Sequence, residues 1–159
     1  MPSGAVVSLG TTLSIDIAGG TSWTVIAEVH EISGPGISRT IMDISNLSSG
    51  QFREKLGGLV NLGEITLGIR LIPNATANSH FTLLQELSVG GSARTLAAIN
   101  ATRAAFKILW ELGTTDCSWS FKGFVSNFQP SMSVDSPVEA DVTIEVDGIG
   151  TNGIALATT

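Results

Sequence analysis

Four carboxylates stand along one side of a short run, VEADVTIEVD. Glu139, Asp141, Glu145 and Asp147 alternate with Val138, Ala140, Val142, Ile144 and Val146, and Thr143 completes the polar side. Paired carboxylates serve acid–base hydrolysis and the binding of hard cations. Acid–base work needs a carboxylate whose pKa is shifted by burial or by a close neighbour. Acids at alternate positions of an exposed strand lack that burial. The run therefore predicts a solvated, negative sheet face backed by an apolar one. A hydrolase built on it would lose its activity on Glu139→Gln or Asp141→Asn.

The other reactive residues are isolated. His30 and His80 have no Cys, His or Asp at metal-ligand spacing. Cys117 is the single cysteine, has no His near it in sequence and cannot form an internal disulfide, so packing must supply the stability. GIGTNG, residues 148–153, matches G-x-G-x-x-G and follows a strand, but the six residues after it are too few for the helix and second strand of a dinucleotide unit. P-loop, H-E-x-x-H and G-x-S-x-G patterns are absent from the sequence. The residues predict no enzyme, no metal and no cofactor.

The elements that must position the acidic run are mostly strands. Leu13, Ile15 and Ile17 alternate with polar residues up to a Gly-Gly pair. In SWTVIAEVHEIS, Trp23, Val25, Ala27 and Val29 fall on one face, and Thr24, Glu28 and His30 on the other. Gly34-Pro35-Gly36 ends this strand and opens an excursion to about Gly63. The excursion is predicted to hold a short strand, TIMDIS, and a short helix capped by Ser48 with Gln51 three residues on and ended by Gly57 and Gly58. EITLGIRLI is the next strand, stopped by Pro73. Asn78 or Ser79 caps a helix with Phe81, Leu84 and Leu87 on one face and Gly90 at its end. Residues 92–104 contain helix formers without a clear stripe. FKILWEL and CSWSFKGFVSNF read as strands joined by a GTTD turn, and VEADVTIEV reads as the last strand.

The strand before the acidic run concentrates aromatic residues: of nine in the chain, Trp119, Phe121, Phe124 and Phe128 lie within ten positions. Trp119 and Phe121 share one parity, Gly123 stands where the next core residue belongs, and Phe124 and Phe128 take the other parity. A bulge at Gly123 produces such a slip. A strand buried on both faces also accounts for it, with Val125 in its favour. Either way these aromatics are expected to build the core.

Composition narrows the class. The 159 residues suit one domain, and 43% hydrophobic content can build a core. Charged residues make up 14%, below the roughly 25% of an average soluble domain, and the mean hydropathy is +0.33. A chain that buries surface against its own copies fits these values; taken alone they favour a compact monomer with a Gly-, Ser- and Thr-rich surface. The net charge of −6 and the scattered Lys and Arg argue against a groove that grips phosphate. The N-terminus lacks a basic, then apolar, leader, and no stretch approaches the roughly 18 apolar residues of a membrane span. The Asn-x-Ser/Thr triplets at Asn46, Asn74 and Asn100 read as chance matches in a Ser- and Thr-rich chain.

WSFKGFVSNFQPSMSVDSPVEADVTIEVDG resembles the C-terminal signature of the major tail tube proteins of long-tailed bacteriophages. That signature runs W-x-F-x-G-F-V-S-x-F-x-P-S, a short linker, then V-x-A-D-V-T-I-x-V-x-G. Trp119, Phe121, Gly123, Phe124, Val125, Ser126, Phe128, Pro130 and Ser131 fit its first part. Val138, Ala140, Asp141, Val142, Thr143, Ile144, Val146 and Gly148 fit its second. Upstream, EVHEISGPGISRTIMDISNLSS, FREKLGGLVNLGE and a His before an amphipathic helix follow in the family's order, so the likeness runs from about Thr21 to Gly148. Asn61 stands where the family tends to carry Asp, and Ser92–Ala105 is longer than usual.

The resemblance implies a mainly β subunit: a β-sandwich or barrel over 13–148, an N-terminal arm at 1–12, one flanking α-helix, a long inter-strand loop at 34–63 and a C-terminal tail at 149–159. It implies stacked hexameric rings forming a hollow tube that conducts DNA. The acidic strand, Glu139, Asp141, Glu145 and Asp147, would line the bore and repel the polyanion. The excursion, with Ser48, Gln51, Phe52, Arg53 and Lys55, would reach a neighbouring ring. Implied partners are further copies, a tail terminator, a tape-measure protein and baseplate or distal tail proteins; DNA passes without specific binding and no membrane is involved. The place of action is the virion tail, after synthesis in the bacterial cytoplasm. Two rivals stand: the tube protein of a contractile tail, gene-transfer particle or secretion needle, and, in another class, a monomeric β-sandwich binding module. Exposed aromatics would mark such a module, and the absence of Tyr argues against it.

Overall fold

The computed structural model describes residues 10–18, 22–26, 28–46, 48, 50–71, 79–88, 93–110, 116–147 and 155–158. The strands are β1 (Thr12–Asp16), β2 (Thr24–Ile26), β3 (Val29–Ser33), β4 (Ser38–Asp43), β5 (Lys55–Asn61), β6 (Glu64–Arg70), β7 (Ala104–Trp110), β8 (Cys117–Ser131), β9 (Glu139–Val146) and β10 (Ala155–Thr158). Among the described residues between β6 and β7 lie the helices α1 (Ser79–Glu86) and α2 (Leu96–Ala101).

The main sheet runs β2-β1-β7-β8-β9-β6-β3, with β10 added on β8 and β4-β5 apart as a separate pair. Strands β2 and β3 sit at opposite ends of that order, yet only residues 27 and 28 separate them in sequence. The chain turns between them at Glu28, whose φ is 54°. The sheet has to curl to bring these two edge strands into succession, a mainly β architecture of the sandwich or barrel kind.

Alternation fills the interior. Leu13 and Ile15, Ile65, Leu67 and Ile69, Phe106 and Ile108, and Ala140, Val142 and Ile144 form one buried cluster with Phe121 and Val125. Helix α1 packs against β2 and β8 and adds Leu83 to this cluster. Asp16 is buried at the end of β1, where its carboxylate accepts bonds from the Ala18 and Ser22 amides, each at 2.7 Å, and so ties both residues to the strand end.

The aromatic strand is the centre of this core, and its slip lies at a different residue from the one expected. The register of β8 on β9 shifts between Val125 and Asn127, so the bulge falls at Ser126 and not at Gly123. Phe121 therefore faces inward, stacked on Phe106 at 5.5 Å. Trp119 meets Trp110 edge-on at 5.4 Å. Phe124 takes the outer face, 5.5 Å beneath the Arg103 guanidinium, and the bulge turns Phe128 back toward the core. Gly123 has a separate reason to be glycine: a Cβ there would stand 2.4 Å from the Glu145 carbonyl oxygen. Gly123→Val is expected to push β8 and β9 apart and to cost about 1–3 kcal/mol, several degrees in Tm. An unchanged Tm would show that the strands yield freely at this point.

The excursion also differs. The helix expected around 48–58 is absent: Lys55–Asn61 is a strand antiparallel to β4, and Gly57 and Gly58 lie inside it. The Ser48–Gln51 pattern serves a turn instead. Ser48 donates its amide to Asn46 Oδ1 at 2.8 Å, and Glu54 donates its amide to Ser45 Oγ at 2.8 Å, closing the hairpin. Residues 92–104, ambiguous in sequence, contain α2, whose N-cap Thr95 accepts the Ala98 amide at 3.2 Å. The C-terminal segment is not only a tail, because β10 pairs with Cys117–Ser120 of β8. Asn78, Gly90, residues 113–115 of the GTTD turn and GIGTNG lie outside the described residues, as does the side chain of Phe81.

Candidate functional site

The acidic strand is held from both sides. β9 pairs with β6 along its whole length and with the second half of β8. Its apolar residues enter the core, which turns Glu139, Asp141, Thr143 and Glu145 outward, and Asp147 follows just beyond the strand. The four expected acids then divide. Glu139 stands opposite Arg70, with Nε and Oε1 3.9 Å apart. Asp147 forms an ion pair with Arg103 and is largely buried. Asp141 and Glu145 are exposed.

Two further acids join them. Glu145 is the direct cross-strand neighbour of Glu64 on β6. Asp141 is the neighbour of Gly68, which in turn pairs with Glu31 of β3. Like charges directly opposite destabilise a sheet, so the Glu64–Glu145 pair does not help the fold. The exposed strip thus comprises Glu31, Glu64, Asp141 and Glu145 across three strands, and none of them forms an ion pair with a described residue. Glu31 and Glu64 escape sequence reasoning because each is one acid on its own strand and only register brings them together. The alternation of EITLGIR was the available signal for Glu64.

His30 joins the same face. A register shift between Val29 and Glu31 turns it over Gly68, where an added Cβ would lie 2.7 Å from its Nε2. His30, Glu31, Thr66 and Asp141 border a shallow open depression there. No group of three or more His, Cys, Asp or Glu side chains among the described residues is placed to hold a metal ion. His80 is buried in the first turn of α1 and Cys117 is half-buried.

The second surface is the β4–β5 hairpin. Of the excursion residues singled out from sequence, Ser48, Gln51 and Phe52 lie at its turn, Arg53 follows and Lys55 opens β5. Arg53 lies 3.6 Å from Asp43 across the turn. Hydrogen bonds from Ser45 hold the Asp43 carboxyl below the ordinary aspartate range. Ile41, Met42, Leu56 and Val60 are exposed, and Phe52 and Leu59 reach 83% and 89% exposure. Monomeric domains rarely show so contiguous an apolar surface without a partner for it.

Known proteins share this architecture. The tube-terminator structure of an extracellular contractile injection system aligns with a TM-score of 0.67 at 15% identity, covering 99% of each chain. The anti-feeding prophage baseplate, 6-fold symmetrised, gives 0.64 at 14% identity over 98% of this chain and 97% of its own. The tail of an empty gene transfer agent particle, refined in C6 symmetry, gives 0.61 at 15% identity over 98% and 99%. No curated protein matches the sequence. Residues 4–153 match the family described as phage tail tube, TTP, lambda-like. The chain belongs to the lambda-like phage tail tube protein family.

Proposed function

We propose that copies of this chain close into six-membered rings and that the rings stack into a tube with the strip Glu31, Glu64, Asp141 and Glu145 on the bore. The observation that carries this reading is the strip itself. Its acids have no ion-pair partner among the described residues and include a repulsive cross-strand pair, so selection for stability does not account for them. Along a bore they repel phosphate and let DNA slide. Glu139 and Asp147, already matched by Arg70 and Arg103, add little to that potential. Six-fold symmetry in two of the similar structures supports the ring number. The hairpin supplies the contact between rings. Terminator and baseplate components bound the tube at its ends, and a tape-measure protein occupies it before DNA passes. The role is structural and not enzymatic. The lambda-like family match favours a long non-contractile tail over the tube of a contractile system.

The double replacement Asp141→Lys and Glu145→Lys tests the bore. It moves each subunit from −6 to about −2 and repeats the change around every ring. Neither residue is buried, so the subunit is expected to fold and assemble. DNA release from particles is expected to slow by roughly tenfold or more at low salt, and to recover as salt screens the new contacts. Normal, salt-insensitive release from fully assembled tails would remove these acids from the bore.

A further inference from the structure

His30 lies inside the acidic strip. Strict alternation along β3 would send His30 and Glu31 to opposite faces, but the register shift between Val29 and Glu31 puts both outside. A Cβ on Gly68 would lie 2.7 Å from the imidazole Nε2, 3.0 Å from its Cε1 and 3.4 Å from Glu31 Cβ, so the glycine leaves the space in which the ring lies. Asp141 is the register neighbour of Gly68 on its far side. The charged groups facing the imidazole are therefore Glu31 from β3 and Asp141 from β9, while β6 brings Thr66, Leu67 and Gly68. Arg70, two residues further along β6, is matched by Glu139. On the other side of His30, Thr11, Ile108 and Trp110 border an adjoining cleft and carry no charge. His30 is exposed and forms no ion pair with a described residue.

We propose that His30 is the proton-dependent counter-charge of the strip, so that assembly of the tube takes up protons and is favoured by mild acid. The inference rests on the reading that the strip lines the bore. Closing a ring gathers the strips of its copies around one channel, and like charges so gathered repel. Histidine is the side chain that gains a charge between about pH 8 and about pH 5. A proton on His30, set between Glu31 and Asp141, offsets part of that repulsion and is held more tightly in the tube than in the free subunit. A group that binds its proton more tightly in the assembled state supports assembly at low pH and withdraws that support as pH rises.

The test is the concentration of purified chain needed for tube formation, read by sedimentation at about pH 8 and about pH 5.5, each at low and at high salt. Wild type is expected to need about threefold less protein or better at the lower pH, and high salt should give the same gain at the higher pH by screening the acids. His30→Gln is expected to lose most of the pH response and to keep the salt response. His30→Lys, charged throughout, is expected to assemble at the lower concentration at both pH values. His80 is buried in α1 and unaltered in both variants, so any contribution from it persists in them. Both variants should fold, because His30 lies outside the core cluster. A wild-type pH response in either variant, with the salt response intact, would overturn the inference and leave the bore reading standing. No response to salt in wild type would mean that the strips of neighbouring copies stay apart, which overturns both.

Discussion

Excision of the hairpin is expected to give a subunit that folds and makes no tubes at any accessible concentration. The variant removes residues 38–61 and joins Ile37 to Leu62 through two glycines. The neck permits this closure: a Cβ on Gly63, whose φ is +67°, would lie 2.8 Å from the Gly36 carbonyl oxygen, so the two backbones already touch. On either side of the neck, β3 and β6 are antiparallel neighbours, and the excision leaves them joined by a short turn. Every residue of the core cluster lies outside the removed segment. Shortening the loop also lowers the entropy of closing it. The melting temperature should therefore stay within a few degrees of wild type, while electron microscopy shows no tubes. Loss of the β signal in circular dichroism would make the hairpin part of the folding unit. Tubes from the excised chain would remove it from assembly.

Arg94→Ala is expected to destabilise the subunit strongly. Glu86 ends α1 with its side chain fully buried, and its partner is the Arg94 guanidinium. The same guanidinium donates to the Ala98 and Thr102 carbonyls and so ties α2 to α1. Without Arg94 a buried carboxylate stands alone. The cost should be about 3 kcal/mol, the lower end for a broken buried pair because Arg94 keeps some exposure, or roughly 6–12 °C in Tm. The pH dependence has a definite sign. Burial raises the Glu86 pKa above 4.5 and the Arg94 charge opposes the rise. A carboxyl with a raised folded pKa favours the native state at low pH and loses that contribution as pH rises through the folded value. Removing the cation raises that value further. The deficit of Arg94→Ala should therefore be larger at pH 7.5 than at pH 5, and adding Glu86→Gln should recover part of it. A small deficit that ignores pH would mean that water reaches Glu86 in solution.

Where neighbours along the chain decide conformation, the fold was legible. β6, β7 and β9 follow from period-two alternation, because one face of each strand meets the core. The hairpin strand β5 was not, because Ser48, Gln51 and the glycine pair imitate a capped helix locally, while the partner that makes 55–61 a strand lies at 38–43. The slip in β8 could be seen in the parity of its aromatics but could not be located. Phe124 faces outward because Val125 takes the inward position before the bulge, and the Arg103 guanidinium that covers it there depends on tertiary placement. The acidic face was legible as a pattern on β9, whereas its composition was not. Arg70 and Arg103 match two of the expected acids, and Glu31 and Glu64 arrive from other strands through register. Assignment to the tail tube family came from the ordered motifs; composition alone favoured a monomer.

The most direct test of the account is a helical reconstruction by electron cryo-microscopy of tubes grown from the purified chain. The account predicts a six-fold tube with Glu31, Glu64, Asp141 and Glu145 on the wall of the bore and the β4–β5 hairpin in contact with the next ring. A tube whose β9 acids face the outer surface, or are buried between subunits, would contradict it.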